Sequence, residues 1–388
     1  MIHWCGTGLS AVPGLRRLIE AGHEVTVWNR SADKARAAVG DLTDRIETYA
    51  PEALAARLTA GDIVVSMLPG DHHVPLAMLC ITHGAQFVSS SYISPEMRAL
   101  DGEARTAGVA LVNEVGLDPG IDHLMAHWLV EDYRNSNSSL HDHGKENVLS
   151  FLSYCGGVPK EANAFRYKFS WSPLGVLKAL RSPSRSVRHF TTLDVARPWE
   201  ALGSYSAPLV PPETFEVYPN RDSLPFIEQY HFDPAWKVKD FVRGTLRLNG
   251  WAEAWAGIFE TVETAKGPEG EARLAELANR LWRENSYAEG EPDRVVLCVS
   301  LKAEHEGRAV FHKTWVMDAW GDARGSAMAR LVSGTVALAV ESLLAREIGP
   351  GVHAAPDDAR LVRRWMDQIE HMAQRCFLVD HLTGKSTT

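Results

Sequence analysis

The chain holds 388 residues, enough for two or three domains at roughly 100–200 residues each. Its 40 basic and 49 acidic residues give a formal charge of −9, which argues against a general nucleic-acid binder, because such proteins present a basic face. Five widely spaced cysteines, Cys5, Cys80, Cys155, Cys298 and Cys376, form no CxxC pair, so neither a disulfide framework nor a zinc ribbon is indicated.

In chain order, the first hundred residues alternate strand and helix signals. Ile2–Cys5 reads as a short apolar strand, Gly6–Gly8 as a turn, and 12–21 as a helix ended by Gly22. Glu24–Trp28 is a second strand, Pro51–Ala60 a helix, and Asp62–Leu68 a strand stopped by Pro69-Gly70. Gln86–Ser90, a helix over Pro95–Ala107 and a strand at Val109–Asn113 complete the series. Such alternation predicts an α/β fold with a doubly wound parallel sheet that binds ligands at the carboxyl ends of its strands.

Asn135–Asn147 is polar and aperiodic and reads as an exposed loop. Residues 148–250, rich in aromatic and β-branched residues, predict a largely β region. Trp251, Trp255, Ile258 and Phe259, then Leu274, Leu277 and Leu281, predict two helices over 251–290. Val295–Leu301 and Val310–Val316 read as paired strands, and the chain is expected to be mostly helical from Ser326 to Gln374. The apolar stretch Leu331–Leu344 is interrupted by Gly334 and Glu341 and is shorter than the roughly 20 residues of a bilayer span, so no membrane partner is expected. With no leader-like start and no disulfide pattern, the expected compartment is the cytoplasm.

Gly6-Thr7-Gly8-Leu9-Ser10-Ala11 fits G-x-G-x-x-[G/A] between a strand and a helix. The first glycine allows a tight turn, the second a close approach of backbone to a pyrophosphate, and the small third residue close helix–strand packing. The pyrophosphate then lies on N–H groups at the helix start. At the end of the second strand stand Trp28-Asn29-Arg30-Ser31. No acid is there to repel a 2′-phosphate, and Arg30 is placed to pair with one, so NADP is the expected cofactor.

Asp118-Pro119-Gly120 opens an amphipathic helix through Ile121, Leu124, Met125, Trp128 and Leu129. Asp118 reads as its N-cap and Pro119 as its first residue, with the carboxylate at a strand end and its pKa lowered by the helix field. His123 and His127 are four apart but lack a third ligand, and no metal is expected. His72-His73 and His141-x-His143 read as solvated loop residues.

Several ordered segments resemble the saccharopine reductase family, the NADP-dependent, L-glutamate-forming saccharopine dehydrogenases. They are Ser90–Pro95, Asn113–His123, Ser153–Gly157, Tyr167–Ser172, Tyr218–Ser223, Arg243–Arg247 and Ser326–Ala329. The resemblance implies a Rossmann domain over 1–118, with 324–388 packing back on it as helices. It further implies a mixed α/β substrate and dimerisation domain over 119–250 and 291–323, and a small helical excursion over 251–290. The implied reaction joins α-aminoadipate semialdehyde and glutamate as an imine, which NADPH reduces to saccharopine.

Carried over by position, Gly8, Leu9, Ser10 and Ala11, with Gly6, Asn29, Arg30, Ser31, Ser66, Met67, Leu68 and Ser90, are implied to contact NADP. Ser91, Tyr92, Asp118 and Ser172 are implied to meet the substrate; Arg221, Thr245, Leu246 and Arg247 to hold its carboxylates; and Cys155 to lie nearby. Asp118, Tyr92 and Cys155 are the implied catalytic set, and whether Asp118 or Tyr92 moves the proton stays open. The implied partners are a small amino-acid substrate and a second copy of the chain. The helical excursion and the segment before Tyr167 look shorter than in the fungal enzymes, and the loop Asn135–Asn147 longer. Alternatives are a related imine reductase, of carboxynorspermidine synthase or lysine 6-dehydrogenase type, and a non-catalytic NADP-binding regulator.

Overall fold

A computed structural model describes residues 1–140 and 146–387. The chain divides into two compact units, Met1–Leu124 with Ala323–Met372, and Met125–Asp322 with Ala373–Thr388.

The first unit is built on strands β1 (Ile2–Cys5), β2 (Val25–Asn29), β3 (Ile46–Thr48), β4 (Ile63–Ser66), β5 (Gln86–Ser89) and β6 (Ala110–Val112), plus a late strand, Gly351–His353. They form one sheet in the order Gly351–His353, β6, β5, β4, β1, β2, β3, and every pairing is parallel. β1 and β4 are buried along their whole length, as expected of strands covered on both faces. The order reverses between β1 and β4, so the crevice at their carboxyl ends is the place where a doubly wound sheet binds its ligand.

Two expectations change here. The helix read over Pro95–Ala107 is two helices, Pro95–Ala99 and Asp101–Ala107. The region read as mostly helical after Ser326 contains the strand Gly351–His353, which extends the sheet beyond β6; the Asp101 carboxylate accepts the Val352 N–H at 2.8 Å and holds it there.

One face of the sheet is covered by the helix Ala327–Leu344, 18 residues with an N-cap at Ser326, whose hydroxyl accepts the Ala329 N–H. Its length and composition would suit a bilayer, yet most of it is buried within the first unit. Its partner is the helix Val12–Glu20. The Gly14 N–H donates to the Ser333 hydroxyl at 2.8 Å, and a Cβ built on Gly14 would stand 1.9 Å from the Ser333 carbonyl oxygen. The two backbones meet where no side chain fits.

The second unit carries β7 (Val148–Pro159), β8 (Ser184–Arg188), β9 (Thr191–Val195), β10 (Gly203–Ala207), β11 (Glu213–Pro219), β12 (Lys237–Leu248), β13 (Asp293–His305) and β14 (Arg308–Trp320). Its sheet runs β10, β11, β12, β7, β13, β14, Arg375–Asp380, Lys385–Thr387, with the β8–β9 hairpin attached to β12. β12 and β7 are parallel and the other pairings antiparallel, which makes the sheet mixed. One core sits on Val158, Phe215, Val242, Leu246, Val296 and Val316. A second gathers Tyr167, Phe169, Trp251, Trp255, Leu274 and Leu281 under three helices, Trp251–Ala254, Ala256–Thr264 and Gly267–Asn285, where the spacing predicts two.

The segment 324–388, expected to return to the first unit as helices, is divided. Residues after Met372 add two strands to the second sheet, Arg375–Asp380 pairing antiparallel with β14 and Lys385–Thr387 with Arg375–Asp380. Within the polar stretch 135–147, Asn137–Leu140 forms a short helix, and His141 and His143 lie outside the described residues.

Replacing Gly14 by Ala should cost about 1–3 kcal/mol, the usual penalty of forcing atoms into a filled contact. Urea denaturation followed by far-UV circular dichroism checks this, and an unchanged midpoint would contradict the close approach of the two helices.

Candidate active site

In the first unit, the turn after β1 needs its glycine. Gly6 has φ +103°, and a Cβ on it would stand 2.9 Å from the Met67 carbonyl oxygen. Met67 in turn donates its N–H to the Cys5 carbonyl, so the ends of β1 and β4 are locked together. Gly8 and Leu9 are exposed, and a Cβ on Gly8 would meet nothing within 4 Å. The loop therefore presents bare backbone at the start of the helix Val12–Glu20, with Ser10 half-buried beside it and Ala11 buried as the N-cap.

Asn29 ties this loop to the next one. Its Oδ1 accepts the Thr7 N–H at 3.3 Å, and its Nδ2 donates to the Ser31 carbonyl at 2.8 Å. The Ser31 hydroxyl caps the helix Ala32–Val39. Arg30 between them is exposed, with no ion pair among the described residues. The hydroxyls of Thr7 and Ser66, at the ends of β1 and β4, are buried without a hydrogen-bond partner among the described residues. Buried orphan hydroxyls are costly, and a bound polar ligand would satisfy them. A glycine loop at a helix start, two orphan hydroxyls and a cationic Arg30 fit a phosphorylated dinucleotide.

Sequence reasoning missed the neighbouring cleft. Tyr49, Pro51, Ala55, His72, Pro75 and Leu79 line a space of about 260 Å³ just past β3. Tyr49 donates its N–H to the Asn29 carbonyl, its ring meets His72 edge-on at 6.0 Å, and burial pushes its phenol up to about 12. An apolar slot of this size beside Asn29–Ser31 suits a flat heteroaromatic ring. Its signal was a weak one, the Tyr49-Ala50-Pro51 run after a three-residue strand. The reading of His72-His73 as solvated also changes. His73 is buried, which lowers its pKa, and its Nε2 bonds the Leu68 carbonyl at 3.0 Å.

Beyond β5 and β6, the Tyr92 hydroxyl donates to Asp118 Oδ1 at 2.9 Å. Ser90 and Ser91 are half-buried in the same turn, and Gly116 packs on Ser90 at 3.0 Å from a built Cβ. Asp118 is not the helix N-cap. The helix is Ile121–Arg134, and the Gly120 carbonyl accepts the first bonds, from His123 and Leu124. Gly120, at φ +146°, folds onto Gly116 so tightly that a Cβ would lie 2.1 Å from the Gly116 oxygen. This loop lifts Asp118 out of the helix and turns it to Tyr92, so the reason offered for a lowered pKa, the helix field, does not hold. His123 lies between two carboxylates: its Nε2 is 3.1 Å from Glu114 and its Nδ1 3.5 Å from Asp122.

In the second unit the register sets Thr245 of β12 beside Cys155 of β7 and opposite Tyr218 of β11. Cys155 is buried, and Gly156 next to it is required, since a Cβ there would stand 2.2 Å from the Leu246 carbonyl oxygen. The Leu246 side chain belongs to the apolar core, which leaves only its backbone for a ligand.

Arg247, 7% exposed, stands two residues along β12 from Thr245. Its guanidinium carbon lies 5.0 Å from the Tyr167 ring centroid, 5.6 Å from Tyr218 and 5.6 Å from Trp251. It has no carboxylate partner among the described residues; it donates to the Leu246 carbonyl, and its Nε is unpaired, as is the buried Trp251 Nε1. Burial pushes the phenols of Tyr167 and Tyr218 up, against the opposing pull of the Arg247 charge. Glu216, which sequence reasoning missed, fixes the box: its carboxylate accepts the N–H groups of Gly250 and Ala252 at 2.8 Å each, setting the turn that delivers Trp251.

Arg221 is exposed at φ 55°, beyond the end of β11, and Arg247 pairs in register with Glu216. That five-residue offset separates the two backbones by up to roughly 16 Å along the strand. Ser172 is exposed, and its hydroxyl caps the helix Pro173–Leu180 by accepting the Gly175 N–H; Trp171 beside it lies over Gly175.

Residues 3–112 match the family model described as the saccharopine dehydrogenase NADP binding domain, and residues 116–373 the saccharopine dehydrogenase C-terminal domain. The chain is 37% identical over 255 residues to the saccharopine dehydrogenase [NADP(+), L-glutamate-forming] of Pyricularia oryzae, covering 64% of this chain and 54% of that protein. It is 36% identical over 257 residues to the Saccharomyces cerevisiae protein of the same name, covering 64% and 55%. The match thus spans about half the length of these curated relatives. Among solved structures, apo saccharopine dehydrogenase (L-Glu forming) from Saccharomyces cerevisiae superposes with a TM-score of 0.77 at 26% identity, over 100% of this chain and 99% of that one. The homospermidine synthase of Legionella pneumophila, solved with NAD, shares the fold at TM-score 0.65 and 10% identity, over 98% and 91%.

Arg30→Ala should weaken NADPH about 10-fold or more, the worth of one charge-assisted hydrogen bond, and leave NADH within about twofold. Nucleotide fluorescence titration reads both, and equal losses for the two would remove the 2′-phosphate from Arg30.

Proposed function

This chain belongs to the saccharopine dehydrogenase family, and from that premise we propose that it is an NADP-dependent oxidoreductase interconverting saccharopine with α-aminoadipate semialdehyde and L-glutamate, in lysine metabolism. The observation that carries the substrate reading is Arg247, a buried guanidinium with donors to spare and, among the described residues, no carboxylate to meet it. Burying an uncompensated charge costs several kcal/mol, and a ligand carboxylate is the natural partner of a guanidinium fork. A substrate with three carboxylates uses Arg247 and Arg221 separately.

When bound, NADP supplies the hydride chemistry. The protein's own part is to hold the substrate and manage protons. Tyr92 and Asp118 share one proton across a 2.9 Å bond, so the pair is suited to take a proton from the substrate nitrogen and to serve the water that adds to the imine. Cys155, beside Thr245, shapes the wall of the carboxylate half. A decarboxylated polyamine imine would leave Arg247 unanswered, and a pure regulator would have no use for the Tyr92–Asp118 pair.

We take the protein further to be a cytoplasmic homodimer without membrane or nucleic-acid partners. The five cysteines form no disulfide, the net charge is −9, and Phe190, Leu193 and Val210 of the second unit are exposed apolar groups. Light scattering at low micromolar concentration should give twice the chain mass.

The purified protein mixed with saccharopine and NADP should form NADPH, read at 340 nm, and NAD should give far less. Asp118→Asn and Tyr92→Phe should each lower kcat by about 10²–10⁴-fold, the usual share of acid–base catalysis, and leave NADPH affinity intact. Preferential turnover of a decarboxylated analogue would overturn the substrate assignment.

A further inference from the structure

Tyr92 meets Asp118 through its hydroxyl. Its segment, Ser91-Tyr92-Ile93, follows β5 with no regular structure of its own until the helix Pro95–Ala99. Its anchor is a residue outside the set read from the sequence. The Glu114 N–H donates to the Ser91 carbonyl at 3.0 Å, and Glu114 Oε1 accepts the Ile93 N–H at 3.0 Å. One residue therefore grips the chain on both sides of Tyr92.

Glu114 is itself held. It is 4% exposed and sits at φ 55°, a left-handed conformation that a residue with a side chain keeps only when its surroundings enforce it. Its second oxygen, Oε2, meets His123 Nε2 at 3.1 Å, and His123 Nδ1 lies 3.5 Å from Asp122 Oδ2. Asp122 Oδ1 accepts the Gly120 N–H at 2.8 Å. The chain of contacts runs from Ser91 and Ile93 through Glu114, His123 and Asp122 to Gly120, two residues past Asp118. His123 and Asp122 are fully buried, so these bonds are shielded from water. Both members of the Tyr92–Asp118 pair are thus mounted on one continuous polar frame: Tyr92 from Glu114, and the Asp118 loop from Asp122.

We propose that Glu114, braced by His123 and Asp122, is a positioning residue that sets the Tyr92 hydroxyl on Asp118. This rests on the reaction proposed above. Displacing a reacting group by about 1 Å can cost about 10²-fold in rate, so the frame acts on turnover without touching substrate.

The test compares Glu114→Ala with Glu114→Gln, each alone and combined with Tyr92→Phe. The Gln carbonyl still accepts the Ile93 N–H, and its amide can face a His123 of the other tautomer. Glu114→Ala should lower kcat for saccharopine about 10²-fold, and NADPH affinity should change less than about twofold. Added to Tyr92→Phe it should cost less than about threefold more, because the group it positions is already gone. Glu114→Gln should keep kcat within about fivefold of the parent. Equal losses from Glu114→Ala in both backgrounds, or a folded Gln variant as slow as the Ala one, would overturn the proposal. A crystal structure of the Glu114→Ala protein decides it independently of any substrate: the Tyr92 hydroxyl should have left Asp118, and a hydroxyl still within hydrogen-bonding distance would refute the frame. A parent protein inert toward saccharopine would sink the substrate reading alone and leave this structural arm to judge Glu114.

Discussion

The first unit is closed by a contact between parts of the chain 319 residues apart, the Gly14 N–H on the Ser333 hydroxyl. A parallel sheet needs cover on both faces. The helix Ala327–Leu344 supplies apolar cover and seats against Val12–Glu20 where Gly14 leaves no side chain between the backbones. The placement of Val12–Glu20 follows from that seam. So does the position of the glycine loop at its start and of the orphan hydroxyls of Thr7 and Ser66 nearby.

The carboxyl edge of the sheet is then stiffened by side chains that reach from one loop to the next. Asn29 joins the first loop to the second, His73 holds the Leu68 carbonyl, Glu114 holds the chain around Tyr92, and Asp101 holds the strand Gly351–His353. Each satisfies backbone groups that a strand end leaves open. The loops that would touch a ligand are therefore not slack, and their fixed geometry comes from polar residues that a search for catalytic types passes over.

This explains what could be read in the sequence. Local signals carried the parallel sheet, the glycine turn and the change of character after residue 148, since period and punctuation are short-range properties. The strand Gly351–His353 escaped because three residues show no period, and their partner β6 lies far away in the chain. Asp118 was misplaced because Asp-Pro before an amphipathic run is the pattern of a helix start, and only the clash-limited approach of Gly120 to Gly116 reveals the extra loop. The box around Arg247 was invisible for a different reason. Tyr167, Tyr218 and the near neighbours Arg247 and Trp251 come from three separate stretches, and the residue that shapes the turn, Glu216, acts on backbone N–H groups. The seven segments quoted for family likeness carried the function instead, as ordered matches rather than as chemistry.

The surroundings of Arg247 have a bearing on how the pocket behaves in solution. Tyr167 and Tyr218 are buried, their phenols are pushed up, and so they remain uncharged through the neutral range. A guanidinium stays protonated there as well. These two rings thus carry no titration of their own through the neutral range: around Arg247 they act as a fixed-potential electrode rather than a buffer. Where an anion meets Arg247 between these rings, neither phenol adds a titration of its own in that range.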